Sequence, residues 1–177
     1  MKLIKKVLWG LTIIIVFILV AGLFMDKQYK VERTILINEQ SDVIINRIKS
    51  LKKFQSWSPW ADEDPNQKNT FEGIDGTVGS KLKWEGNEKV GKGTMTITAI
   101  TDSCVTYDLN FIEPFKSISK SYYITKKKPQ GSLLTWGMIG ENPYPINVIT
   151  SFIDMDGMIG KDFEKGLLKL RNQLEKK

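Results

Sequence analysis

Phe152 to Leu174 reads FIDMDGMIGKDFEKGLLKLRNQL. Phe152, Met155, Ile159, Phe163, Leu167, Leu170 and Leu174 recur at spacings of three and four, the period that lines up side chains along one helical face. Starting from about Pro145, the pattern predicts one helix of about 30 residues, or about 45 Å. Gly157, Gly160 and Gly166 lie inside it. Each costs about 1 kcal/mol against alanine in a helix interior, so they predict close packing or room beside the helix.

Upstream of this stretch the period is two. Tyr29 to Ile37 sets Val31, Ile35 and Ile37 against Glu32 and Thr34. Lys92 to Ile100 sets Met95, Ile97 and Ala99 against Thr94, Thr96 and Thr98. Val105 to Ile112 sets Val105, Tyr107, Leu109 and Phe111 against Thr106, Asp108 and Asn110. These are strand patterns, and Thr70–Glu72, Lys81–Glu85, Ser117–Lys127 and Ser132–Ile139 complete the set. Turn residues separate them: Asp75-Gly76, Gly86-Asn87, Thr101-Asp102-Ser103 and Pro129-Gln130-Gly131. Between the first strand and the rest, Ser41 is placed to cap a helix whose face is Val43, Ile44, Ile48 and Leu51. A second short helical segment runs from Lys52 to Pro59. An antiparallel sheet must bury one face, and the long C-terminal helix is the one element large enough to cover it. The expected fold is α+β: a curved antiparallel sheet wrapped around that helix, with a cavity between them.

Ahead of this domain, Val7 to Met25 (VLWGLTIIIVFILVAGLFM) carries no charge. As a helix it spans about 28 Å, close to the hydrocarbon core of a bilayer. Lys2, Lys5 and Lys6 precede it, which predicts a cytoplasmic N-terminus and an extracytoplasmic domain in the cell membrane, single-pass. A cleaved signal peptide is the alternative, but the run is long for one and Val20-Ala21-Gly22 is a weak cleavage site. The expected division is an anchor over 1–27, with the span at 7–25, and a domain over 28–177.

Composition excludes several chemistries. The 177 residues contain no histidine and one cysteine, Cys104. Histidine-based nucleophile systems, histidine-ligated metals, internal disulfides and cysteine-cluster metals are therefore ruled out. Setting aside the three N-terminal lysines leaves 23 basic against 20 acidic side chains, a net of +3. That is too balanced for a nucleic-acid footprint. Gly157–Asp162 lacks the glycine spacing and Ser/Thr of a P-loop, and Gly91-Lys92-Gly93 lacks the third glycine of a dinucleotide site.

The arrangement resembles the SRPBCC superfamily, the START/Bet v 1-like helix-grip proteins, and within it the bacterial polyketide cyclase/dehydrase or lipid-transport-like branch. The resemblance rests on Val31–Ile35, Trp57-Ser58-Pro59-Trp60, Trp84–Asn87 and Val90–Ile97. It continues with Tyr107–Leu109, Phe111, Pro114-Phe115, Met155-Asp156 and Gly160–Leu167. It covers roughly residues 29–175 and implies a hydrophobic cavity between sheet and C-terminal helix.

On that basis Trp57 and Trp60 are expected at the cavity mouth. Trp84, Tyr123, Trp136, Met155, Ile159 and Phe163 are expected to face a ligand. Simple core filling is the other role open to each tryptophan. Asp108 falls on the outward face of its strand, and Arg33 reads as a paired structural arginine. No catalytic residue, metal site or cofactor is assigned. The expected function is a membrane-tethered binding protein for a small hydrophobic, lipid-like or aromatic molecule. A cyclase or dehydratase-type enzyme working through Asp, Glu or Tyr, and a ligand-free interaction module, are the alternatives.

Overall fold

In the computed structural model, which describes residues 2–176, the elements alternate as the two periods predict. They are α1 (Lys2–Gly22), β1 (Gln28–Ile37), α2 (Ser41–Ile48), α3 (Leu51–Phe54), a 3-10 turn (Pro59–Asp62), β2 (Lys68–Glu72), β3 (Lys81–Glu85), β4 (Lys92–Ile100), β5 (Cys104–Glu113), β6 (Ser117–Lys128), β7 (Gly131–Glu141), α4 (Ile146–Thr150) and α5 (Met155–Glu175). Met1 and Lys177, the outer ends of the expected anchor and domain spans, lie outside the described residues.

All strand pairs are antiparallel, in the order β1-β7-β6-β5-β4-β3-β2. Side chains that are opposite in register share a face. Leu82 pairs with Met95, and Met95 with Leu109. Val105 pairs with Tyr123, and Tyr123 with Trp136. On the far edge Val31 pairs with Met138 and Ile35 with Leu134. The curved sheet thus presents a concave face that is mostly apolar, with Ser119, Ser121 and Thr125 of β6 buried in it. Against it, α5 buries Phe163, Leu167 and Leu170, and α2 buries Ile44 and Ile48. Each fully buried side chain of this size contributes about 1.5–3 kcal/mol of transfer free energy. Asp108 is exposed, as its position in the alternation predicts.

The structure corrects three expectations. The C-terminal helix does not run unbroken from Pro145. Helix α4 ends at Thr150: the Ser151 amide still bonds the Asn147 carbonyl at 2.9 Å, but the Phe152 and Ile153 amides donate to the Ile149 and Thr150 carbonyls at 3.2 and 3.0 Å, the tighter i−3 pattern that closes a helix. Asp154 then caps a new helix, its carboxylate accepting from the Gly157 amide at 2.8 Å. Phe152, counted on the apolar face, falls in the break and is exposed. Second, Ser41 is not the cap of α2; Gln40 holds that position without a side-chain bond. The buried Ser41 hydroxyl instead meets that of Ser132 at 3.2 Å. Third, the alternation in β4 slips at a register shift between Ile97 and Ala99. One extra residue reverses the faces, so Ala99 is exposed and Ile100 packs on the core.

Among the described residues, helix α1 contributes nothing to this core, and its apolar side chains from Ile4 to Val20 are exposed. Ile4–Gly22 is long and apolar enough to cross a membrane. The helix stops three residues short of the end of the uncharged run. Leu23 to Met25 form a turn, and the Asn147 side-chain Nδ2 donates to the Gly22 carbonyl at 2.8 Å.

Candidate binding cavity

Between the concave face and α5 lies a cavity of about 360 Å³. Strands β3, β4 and β5 supply one wall through Leu82, Trp84, Met95 and Leu109. Strands β6 and β7 supply the floor through Tyr123, Trp136 and Met138, and α5 closes the other side with Met155, Ile159 and Phe163. The mouth is edged by Trp60 of the 3-10 turn, Val90 of the β3–β4 connection, and Pro114 and Phe115 of the β5–β6 connection. The β3–β4 connection is tied across to the 3-10 turn. Asp64 accepts from the Asn87 amide at 2.7 Å, and the Asn87 side chain donates to the Glu63 carbonyl at 3.0 Å.

Of the eight side chains expected at the site, Trp60, Trp84, Tyr123, Trp136, Met155, Ile159 and Phe163 line this cavity. Trp57 does not. It is fully buried beneath the wall, edge-on to Phe54, Tyr123 and Trp136 at 4.8, 5.9 and 5.7 Å between ring centroids. Its proximity to Trp60 in the chain does not carry over, because Ser58 and Pro59 turn the chain between them. The buried Trp57 indole N–H has no hydrogen-bond partner, a cost of about 1–3 kcal/mol that the packing of four rings offsets.

Trp136 organises the apolar wall. Phe163 stacks on it at 4.0 Å and 8° between planes, and Tyr123 at 5.1 Å and 28°. Trp60 meets it edge-on at 5.9 Å. Gly166 makes room for the ring: a Cβ there would fall 2.7 Å from Trp136 Cζ3. The close packing predicted for this glycine is what the structure shows.

The lining also carries polar side chains, with Gln55, Gln67, Lys89, Glu113 and Ser117 beside Tyr29, Ser121 and Asp162. Ser121 donates to the Gly137 carbonyl at 3.1 Å and accepts from the Trp136 indole at 3.2 Å. The Tyr29 hydroxyl pairs with Ser119 at 3.2 Å. Burial drives the Tyr123 phenol well above its ordinary value, so it stays a neutral hydroxyl. Asp162 is a carboxyl on the wall itself. Burial raises its pKa, with Lys165 and the Trp60 indole pulling the other way. Among the described residues no three His, Cys, Asp or Glu side chains gather as a metal site.

Tyr29, Ser121 and Asp162 line the cavity and were not anticipated. Signals for two of them are present in the chain. Asp162 lies three residues after Ile159, within the apolar face. Ser119, Ser121 and Thr125 alternate with Lys120, Tyr122 and Lys126, marking β6 as a strand whose inward face is partly polar.

Arg33 holds the α5 side of the cavity in place. Its Nη1 and Nη2 donate to the Asp156 carboxylate at 2.9 and 3.0 Å, and Nε donates to Glu164 at 2.7 Å. Further bonds run to the Asp156 and Glu32 carbonyls. The guanidinium is thus committed within the protein, as the structural reading of Arg33 predicts. It sits over Gly160, where a Cβ would come within 1.9 Å of Nη2. The clamp joins β1 to the first turns of α5, which carry Met155 and Ile159.

No protein-family model matches the chain, and no curated protein does either. Solved structures do match. The di-domain ARO/CYC StfQ of the steffimycin biosynthetic pathway superposes with a TM-score of 0.63 at 7% identity, covering 84% of this chain and 51% of its own. Major latex-like protein 151 of Panax ginseng gives 0.63 at 15% identity, covering 85% of this chain and 100% of its own. Aha1 of Colwellia psychrerythraea gives 0.57 at 15% identity, covering 83% and 96% respectively. At these identities the likeness is one of fold: the chain has a helix-grip fold, the fold that the resemblance implied.

Proposed function

We propose that this protein is a membrane-tethered binding protein for a small hydrophobic ligand, lipid-like or aromatic, held between the sheet and α5. The observation that carries this reading is the cavity of about 360 Å³ with its aromatic and thioether wall. Its size falls in the range of small-molecule sites, about 300–1,000 Å³. A ligand burying about 200 Å² of apolar surface there gains about 5 kcal/mol before the cost of association. Polar side chains of the lining, Ser121, Tyr123 and Asp162 among them, orient the ligand. A domain over 28–177 with its own core supports treating residues 1–27 as an anchor. With the N-terminal lysines in the cytoplasm, the domain stands outside the cell membrane, close to where apolar molecules concentrate.

Native mass spectrometry of the full-length chain after exposure to a total lipid extract tests the binding reading. A stoichiometric adduct that Ile159→Trp abolishes supports it. Adducts unaffected by that substitution place the lipid on the anchor and count against it. Labelling of a cysteine added to a C-terminal extension, in intact cells and in a Cys104→Ser background, tests the orientation. Protection from an impermeant reagent overturns it.

Asp162 favours a second reading, a cyclase or dehydratase-type enzyme. A carboxyl with a raised pKa beside an aromatic wall is placed to donate a proton to a bound ring or hydroxyl. A turnover assay against the ligand identified above, lost in Asp162→Asn with binding retained, separates catalysis from binding.

A further inference from the structure

We infer that α4 and its flanking loop form a membrane-interface foot that seats the cavity mouth on the lipid leaflet from which α1 emerges. This rests on the proposed anchor and adds to it a docking surface and a route for the ligand.

The sheet has two ends, and register identifies what lies at each. Gln28 pairs with Glu141, Gly140 with Ser119, Phe111 with Ser117, and Lys92 with Glu113. The start of β1, where the chain arrives from α1, is therefore at the same end as the β5–β6 connection and the exit of β7. Phe115, which lines the cavity, lies in that connection. The cavity mouth and the root of α1 share one end of the molecule.

Helix α4 is fixed to that root. Asn147 and Val148 are buried. The Asn147 side-chain Nδ2 donates to the Gly22 carbonyl at 2.8 Å and the Met25 carbonyl at 3.4 Å. Val148 packs so tightly on Gly22 that a Cβ there would fall 2.1 Å from its Cγ2. The opposite side of the segment is unpartnered. Ile146, Ile149 and Ile153 recur at helical spacing and are exposed, and Phe152 beside them is 77% exposed. Residues 142–153 (NPYPINVITSFI) carry no charge. Phe24, 87% exposed, stands in the turn that leaves α1, next to the Gly22 and Met25 carbonyls that hold Asn147. Phe115 of the β5–β6 connection, 81% exposed, stands at the same end of the sheet.

This apolar collar directly adjoins a helix long and apolar enough to span a bilayer. The occupant that meets both without a gap is the leaflet itself. Apolar side chains at this depth sit at the headgroup–acyl boundary, and Tyr144 suits the same level. Phe115 belongs both to the collar and to the cavity lining, and Met155 of the lining follows Ile153 by two residues. An apolar ligand would pass between leaflet and cavity along these side chains without crossing water.

The test uses the full-length chain, in a Cys104→Ser background, reconstituted in phosphatidylcholine–phosphatidylglycerol vesicles. Single substitutions Ile149→Cys, Phe152→Cys and Phe115→Cys carry an environment-sensitive fluorophore. Gln130→Cys, in the turn at the opposite end of the sheet, is the reference. The expected result is blue-shifted emission at 149, 152 and 115, quenched by nitroxide-labelled lipid, and neither change at 130. Emission at all four positions alike, from protein that resists carbonate extraction, overturns the foot and leaves the anchor standing. Release by carbonate overturns the anchor, and the foot with it. A shift that nitroxide lipid does not quench, and that scales with protein density in the vesicle, assigns the collar to a second copy and overturns the proposal. A second variant reads the route. Ile149→Asp with Phe152→Asp alters only exposed side chains. It slows lipid uptake from vesicles and leaves binding of detergent-delivered lipid unchanged. Equal slowing of both, or of neither, contradicts the route.

Discussion

Arg33 sits on an edge strand and yet directs its side chain at α5, where two carboxylates and two carbonyls receive it. The consequence is mechanical: the first turns of α5 are the movable part of the cavity wall, and Arg33 pins them. Arg33→Met is expected to speed amide exchange over residues 155–161 while protection in β6 and β7 is unchanged; equal exchange in the two proteins contradicts the clamp. The guanidinium holds Asp156 below its ordinary value of 3.8. That contribution is complete above 3.8 and is lost as pH falls through the lower folded value. The clamp therefore weakens only in acid. Asp162 behaves oppositely. Burial raises its pKa above 3.8, so its share of stability is complete below 3.8 and lost as pH rises through the folded value. Asp162→Asn is expected to raise Tm at neutral pH, with the gain fading below 3.8; a gain of the same size at both ends of the pH range sinks this. Neither pairing was fully visible in the chain. Arg33 inside an apolar strand suggested a partner, but its partners lie more than 120 residues away. Asp162 carries a signal, three residues after Ile159 on the apolar face, but Phe163 at the next position fills the four-residue step and the pattern reads complete without it.

At the scale of elements, a change of period from two to three-and-four is enough to order the sheet and helix. The strands and the sheet-against-helix arrangement were legible because each needs only a local pattern and one burial requirement. The break before α5 was not, because Phe152 keeps the helical spacing while its own amide already bonds three residues back and Asp154 caps a new helix. The bulge in β4 was equally silent, since Thr98 and Ala99 continue the alternation that the backbone abandons. Close approach of α5 to β7 at Gly166 was legible as a cost needing a reason. Gly166→Val forces a side chain against Trp136 and is expected to destabilise by about 1–3 kcal/mol, read as a lower denaturant midpoint with unchanged slope. An unaltered midpoint contradicts the packing of Trp136 against this helix.

For the whole molecule, the cavity, its mouth and the anchor are read as one device, a container fixed beside the phase that holds its ligand. A filled container should lose its capacity without losing its fold. Ile159→Trp, projecting from α5 into the space, is expected to keep the circular dichroism spectrum and abolish ligand retention. Retained ligand in a folded variant places binding elsewhere. The general container was legible from the fold resemblance. Its membership was not: Trp57 was drawn to the mouth by its neighbour Trp60, while the structure buries it among Phe54, Tyr123 and Trp136. The most direct measurement is photo-crosslinking of the full-length protein in vesicles doped with a diazirine-tailed lipid, with the modified residues mapped by peptide mass spectrometry. The cavity account predicts adducts on Met95, Met138, Met155 or Ile159, competed away by unlabelled lipid. Adducts confined to α1 and the exposed collar, with none inside the cavity, would contradict it.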